Sequence, residues 1–208
     1  MTQLSKLIKL LLVVLIILVS QRMTAGDFKN SRYNHRILSI NSGYTFSGYG
    51  DCWGVNSEIS HFKSFFPWLF HRESLDGWIV NGSSWQDIGY ENQTGVSLTA
   101  EIGIVPFKTG ERIFYLSGGG TLGYLSIIRP WASGTRYFTN SDGTTQTMTN
   151  ISYGADNYFS PGFSISAGYT TRVNSKLYLN IRAQTKAYAS GDFVSTLSVG
   201  IGLNALKK

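Results

Sequence analysis

Five stretches of this chain alternate apolar with small polar residues at a period of two, and that pattern constrains its fold more than any other feature. Side chains on a β-strand point alternately to opposite faces, so such a period writes two surfaces into one segment. Residues 38–46 place Leu38, Ile40, Tyr44 and Phe46 on one face and Ser39, Asn41, Gly43 and Thr45 on the other. Residues 96–104 set Val96, Leu98, Ala100, Ile102 and Ile104 against Ser97, Thr99, Glu101 and Gly103. Residues 163–170, 177–186 and 197–205 repeat the code, the last with Leu197, Val199, Ile201 and Leu203 against Ser198, Gly200 and Gly202. Three weaker segments, 53–65, 74–81 and 112–128, bring the expected strand count to eight. In 112–128 the expected outward set is Phe114, Leu116, Leu122 and Tyr124. No stretch beyond residue 25 shows an apolar period of 3.6, so the chain reads as all-β.

The first 25 residues stand apart. Lys6 and Lys9 precede an unbroken apolar run from Leu10 to Val19, and small residues follow. Ten residues rise only about 15 Å as a helix, half the hydrocarbon core of a bilayer. A basic start with a short apolar run is the pattern of a secretory signal, with cleavage expected after Ala25. The reading assigns residues 1–25 to a signal peptide, 26–35 to a short N-terminal segment and 36–208 to the barrel domain. Removing the signal takes three bases and no acid, so the formal net charge falls from +6 to +3. No cluster of Lys and Arg of the kind that tracks phosphates remains, which argues against nucleic acid as a partner. Cys52, the single cysteine, is expected to be a packed small apolar residue.

Connector lengths sort into two kinds. The breaks near 67–72, 108–111 and 174–176 are short, whereas 81–92 and 130–157 are long, polar and rich in Gly, Ser, Thr and Asn. Short turns at one end and longer loops at the other belong to outer-membrane barrels. Which face is wet separates two kinds of barrel. A soluble barrel with its apolar face inward would have an exterior of glycine, serine and threonine, yet soluble surfaces carry far more charge. The chain has only 14% charged residues and 29 aromatics. The apolar face is therefore expected to meet lipid, with small polar residues in a narrow lumen. The fold expected is a closed antiparallel eight-stranded transmembrane β-barrel.

Residues 36–206 resemble the small outer-membrane β-barrels of Gram-negative bacteria, nearest the OmpA/OmpX-type barrel domains and the Bacteroidota-like barrels of uncharacterised role. The opening run ILSINSGYTFSGYGDCWGVNSEI and the closing strand STLSVGIGL carry the likeness, although the chain ends LNALKK without a terminal aromatic. The resemblance implies outer-membrane lipid and, during biogenesis, the barrel-assembly machinery as partners.

Candidate sites are few. Glu58, Glu101, Arg182 and Lys186 fall on the polar parity and are expected in the lumen. There they form either a charge network that plugs the barrel or, in a water-filled pore, a selectivity element. Eight strands leave room only for side chains, which favours the plug. Individual pairings stay open. Tyr44, Phe46, Trp53, Phe65, Phe66, Trp68, Phe159 and Tyr169 lie near strand ends and suit interfacial girdles. Trp85, Tyr90, Trp131, Tyr137, Phe138 and Tyr153 lie in or beside the long connections, as loop packing or as a surface for an unidentified partner. No catalytic residue, cofactor or metal site is expected. His35, His61 and His71 lack the neighbours of a hydrolytic triad, and the His-x-Ser pair of lipid A deacylases is absent. The functions in view are a non-enzymatic envelope structural or surface-interaction barrel, then a small pore, a lipid-modifying enzyme, and a secreted ligand-binding barrel.

A protein of this kind fractionates with outer membranes and migrates faster on gels unheated than boiled. Recovery in the soluble periplasmic fraction with no mobility change on heating would contradict the membrane assignment.

Overall fold

The computed structural model describes residues 36–48, 52–83, 89–109, 111–140 and 142–204, apart from the side chains of 131–133. The expected signal peptide, N-terminal segment and Trp85 lie outside the described residues. Eight strands form in order: β1 (Arg36–Ser47), β2 (Cys52–Phe66), β3 (Leu69–Ser83), β4 (Tyr90–Thr109), β5 (Arg112–Thr139), β6 (Thr145–Arg172), β7 (Leu177–Tyr188) and β8 (Phe193–Asn204). Each pairs antiparallel with its sequence neighbour, and β1 pairs with β8, closing the barrel.

The outward face is apolar. Leu38, Ile40, Val55, Ile59, Val96, Leu98, Ile102, Ile165, Val199 and Ile201 are all at least half exposed or nearly so, which a water-facing surface does not tolerate in one continuous belt. Aromatic pairs edge this belt: Phe66 and Trp68 at the short-turn rim, and Phe46 with Trp53 and Tyr124 with Phe159 toward the other rim. The inward face carries Ser39, Asn41, Asn56, Ser60, Ser97, Thr99, Ser164 and Gln184, all buried. The fold is a closed antiparallel eight-stranded transmembrane β-barrel, and the parities of all five strongly alternating segments hold. So does the outward set expected for β5.

Two features depart from expectation. The polar connection expected at 130–157 is largely strand. β5 and β6 remain paired from Arg129↔Gly154 to Thr139↔Thr145, with a register shift between Pro130 and Ala132. β4 pairs with β5 no further than Ile128, and β7 pairs with β6 no further than Gly162. A two-stranded ribbon therefore leaves the barrel and projects by roughly 30 Å, at about 3.3 Å per residue. Its tip is a tight turn in which Gly143 takes φ 82°. There Asp142 Oδ1 accepts from the Thr144 amide (2.9 Å) and hydroxyl (2.6 Å), which holds its carboxyl below the usual carboxylate range. Composition hid this ribbon because Thr, Ser and Asn serve strands exposed on both faces as readily as loops.

The second departure is that the lumen is not uniformly polar. Ile37, Phe62, Phe70, Val105, Ile113, Tyr115 and Tyr178 cluster inside the short-turn end. Cys52, Trp78, Val80, Leu125, Tyr188 and Val194 cluster inside the opposite end. Glycines accommodate these rings. A side chain on Gly95 would enter the Trp78 ring, and one on Gly168 the Tyr115 ring. In the Gly118–Gly120 run, Gly119 admits the backbone of Ala100 and Glu101, while nothing lies near a Cβ on Gly120.

Parity defines a direct test. Ile181→Arg and Val199→Arg, on outward positions, should each cost about 2–4 kcal/mol of bilayer folding stability near the midplane. Ser198→Ala, its side chain inward, should cost less. Urea titrations in lipid vesicles measure the difference, and equal losses at both parities, or tolerance of both arginines, would contradict this assignment of the barrel faces.

Candidate functional site

The charged candidates come from opposite walls. In the closed ring β7 lies across from β3, and β2 and β4 flank β3. Glu58 (β2), Asp76 (β3) and Glu101 (β4) project inward from one wall, and Arg182 and Lys186 (β7) from the other. Glu58 and Asp76 are direct cross-strand partners. Like charges so placed repel, and the bases arriving from β7 relieve that repulsion.

Arg182 sits between two carboxylates. Its Nη1 donates to Glu58 Oε2, and its Nη2 to Glu101 Oε2 at 2.8 Å. All three side chains are almost completely buried. Glu58 also accepts from Asn41 Nδ2 at 2.9 Å. Glu101 is surrounded by donors: Ser164 at 2.5 Å, Ser117 at 2.9 Å, Ser166 at 3.1 Å and Gln184 at 3.2 Å. A carboxylate out of water needs such a shell, because each unfilled lone pair carries a desolvation cost.

Lys186 pairs with Asp76 rather than with either glutamate, and its Nζ also donates to Ser97 Oγ at 2.7 Å. Ser97 in turn donates to Asp76 Oδ1 at 2.9 Å, closing a three-membered set. The ammonium lies 5.4 Å from the centre of the Trp78 ring, which joins this layer to the apolar cluster beyond it. Toward the other end, the Arg72 guanidinium lies over the Tyr115 ring at 4.7 Å. Three acids thus face the two bases of β7 across the middle of the barrel, Arg72 stands on the acids' own wall as the ladder partner of Glu101, and an aromatic cluster closes each side. The gap beside Arg72, lined by Ile37, Phe62, Ile113 and Asn180, does not admit a water.

Sequence reasoning missed Asp76 and Arg72. Both lie on β3, where only 74–81 was expected as strand. Leu75 and Ile79 outward make Arg72, Ser74, Asp76 and Trp78 inward, a parity legible once the strand is run back to Leu69.

The described aromatic candidates form no single cluster. Tyr137 and Phe138 are consecutive on the ribbon and so face opposite sides, at 71% and 49% exposure. Trp131 lies at the register shift. Tyr153 accepts a 3.4 Å hydrogen bond from the Tyr90 amide, which ties the ribbon base to the start of β4. Tyr90 itself is exposed.

The histidines hold a surprise. His61 and His71 were unrelated in sequence, yet the β2–β3 pairing brings both beside Glu73 on the outer face, at 3.8 and 3.4 Å.

No protein-family model matches this chain, and no curated protein matches it. Among solved structures, the neisserial surface protein A superposes with a TM-score of 0.57 at 13% identity, over 81% of this chain and 96% of that protein. Ail, the attachment invasion locus protein of Yersinia pestis, gives 0.47 at 13% identity, over 81% and 98%. The N-terminal barrel of Pseudomonas aeruginosa OprF gives 0.39 at 14%, over 82% and 98%. The likeness to the neisserial protein is one of fold.

Coupling across the lumen can be measured. Lys186→Met strands the Asp76 carboxylate and should destabilise the barrel by about 3–5 kcal/mol, whereas Asp76→Leu with Lys186→Met should cost much less. A cycle pairing Lys186 with Glu101 should show weaker coupling than one pairing it with Asp76. The reverse order would contradict the pairing described here.

Proposed function

We propose that this protein is a non-enzymatic outer-membrane barrel of Gram-negative type. Its lumen is plugged, and it serves envelope structure or surface interaction through the face bearing the β5–β6 ribbon. The observation that carries the reading is the Arg182 bridge between Glu58 and Glu101, buried between two aromatic clusters. A conducting pore needs charges that face water along a continuous path; these charges face one another. The apolar outer belt supports residence in lipid, and the basic start with its short apolar run supports export through a signal peptide over residues 1–25. The start of β1 and the end of β8 then lie on the short-turn side, where an exported chain arrives, and the ribbon stands on the outer side.

The ribbon supports the interaction half of the reading. From Arg129 to Ala155 its two outer edges have no strand neighbour among the described residues, and it exposes Tyr137, Phe138, Met148 and Tyr153. A long exposed ribbon is an aggregation liability unless it is used. Nothing in the arrangement places a nucleophile beside a base and a carboxylate, so lipid modification finds no support in the lumen or at the rims among the described residues.

Planar-bilayer recording tests the closed lumen. The wild-type barrel should give no stable conductance. A steady channel whose ion preference changes on Lys186→Glu would overturn the plug in favour of a small pore.

A further inference from the structure

The proposed function leaves the outer-face cluster at the short-turn rim unused. His61 lies directly across from Glu73 in the β2–β3 ladder, and His71 precedes Glu73 by two residues on the same strand. A cross-strand partner and an i, i+2 pair share one face of a sheet, so all three side chains rise together. One ligand atom from each falls within 4.8 Å of the others. Glu73 turns one carboxylate oxygen toward each ring, Oε2 to His61 Nδ1 at 3.8 Å and Oε1 to His71 Nε2 at 3.4 Å. Ligands held about 2.0–2.2 Å from a tetrahedral ion stand roughly 3.4 Å apart. The cluster needs only small side-chain adjustments to meet that spacing.

We infer that His61, His71 and Glu73 form a binding site for a divalent transition metal of the zinc class. Two imidazoles and one carboxylate suit Zn²⁺, Ni²⁺ or Cu²⁺, whereas Ca²⁺ and Mg²⁺ take oxygen ligands. Three protein ligands leave a coordination position for water. Neighbouring side chains fix the His71 ring. The His71 ring is set by stacking on Phe65, with centroids 5.0 Å apart and planes at 25°. Lys63, the ladder partner of His71, directs its ammonium over the Phe65 ring at 5.5 Å. Both imidazoles are partly buried and Glu73 is largely exposed, so an ion can enter from outside. A bound ion would clip β2 to β3 beside their connecting turn, and binding only the folded state would raise the temperature at which the barrel opens.

The test uses the full protein extracted in detergent without a polyhistidine tag, in a His35→Ala background so that only the paired histidines report. Calorimetric titration with Zn²⁺ should give one site, and Zn²⁺ should raise the temperature of the gel-mobility transition. His61→Ala and His71→Ala should each weaken binding at least tenfold, with the unheated mobility of each variant confirming a closed barrel. Ca²⁺ should not compete. Unchanged Zn²⁺ affinity in the His61→Ala/His71→Ala double variant, or no uptake at micromolar Zn²⁺, would overturn the site. If the double variant does not fold, diethylpyrocarbonate labelling of His61 and His71 replaces it. Protection by Zn²⁺ supports the site, and equal labelling with and without Zn²⁺ overturns it.

Discussion

A strand whose outer face is apolar cannot leave its backbone donors and acceptors to solvent, so each must be paired by a neighbouring strand. Only a ring does this for every strand at once. The β1–β8 pairing is therefore the contact on which the rest of the architecture depends. It removes both sheet edges, and at eight strands it also sets how narrow the interior is. The lumen then becomes a packing problem: polar side chains directed inward must satisfy one another, because little water can.

The solution divides the work between walls. Acids occupy β2, β3 and β4, and β7 supplies Arg182 and Lys186. Neither set is stable alone, since Glu58 and Asp76 are direct neighbours and would repel. Each ion pair crosses the lumen, so the charges stabilise the closed ring as a whole rather than any one hairpin. The aromatic clusters at either end restrict water, which strengthens the pairs and raises the cost of breaking one. The glycines facing Trp78 and Tyr115 let full-sized rings fit a cross-section that could not hold two opposed side chains.

The ribbon and the metal-ligand cluster follow a different logic, outside the ring. The ribbon is held by its own pairing, and Tyr153 ties its base to Tyr90. His61, His71 and Glu73 occupy positions where the apolar code lapses near the short-turn rim. Such a lapse is tolerable only at an interface, where polar groups reach water.

Alternation by itself determined the class of fold, the number of strands and the direction of nearly every side chain on β1, β4, β7 and β8. A period of two is a local property, and one buried face makes a slip of a single residue costly. It likewise placed Glu58, Glu101, Arg182 and Lys186 on the inner face. What it could not supply is who meets whom. That Lys186 finds Asp76, that Arg182 is shared between Glu58 and Glu101, and that His71 reaches Glu73 beside His61 depend on ring order and register. Those are relations between residues up to 124 positions apart along the chain. The same holds for the ribbon. The described side chains of 130–157 form no buried face, so nothing local marks them as strand, and their pairing with each other decides it.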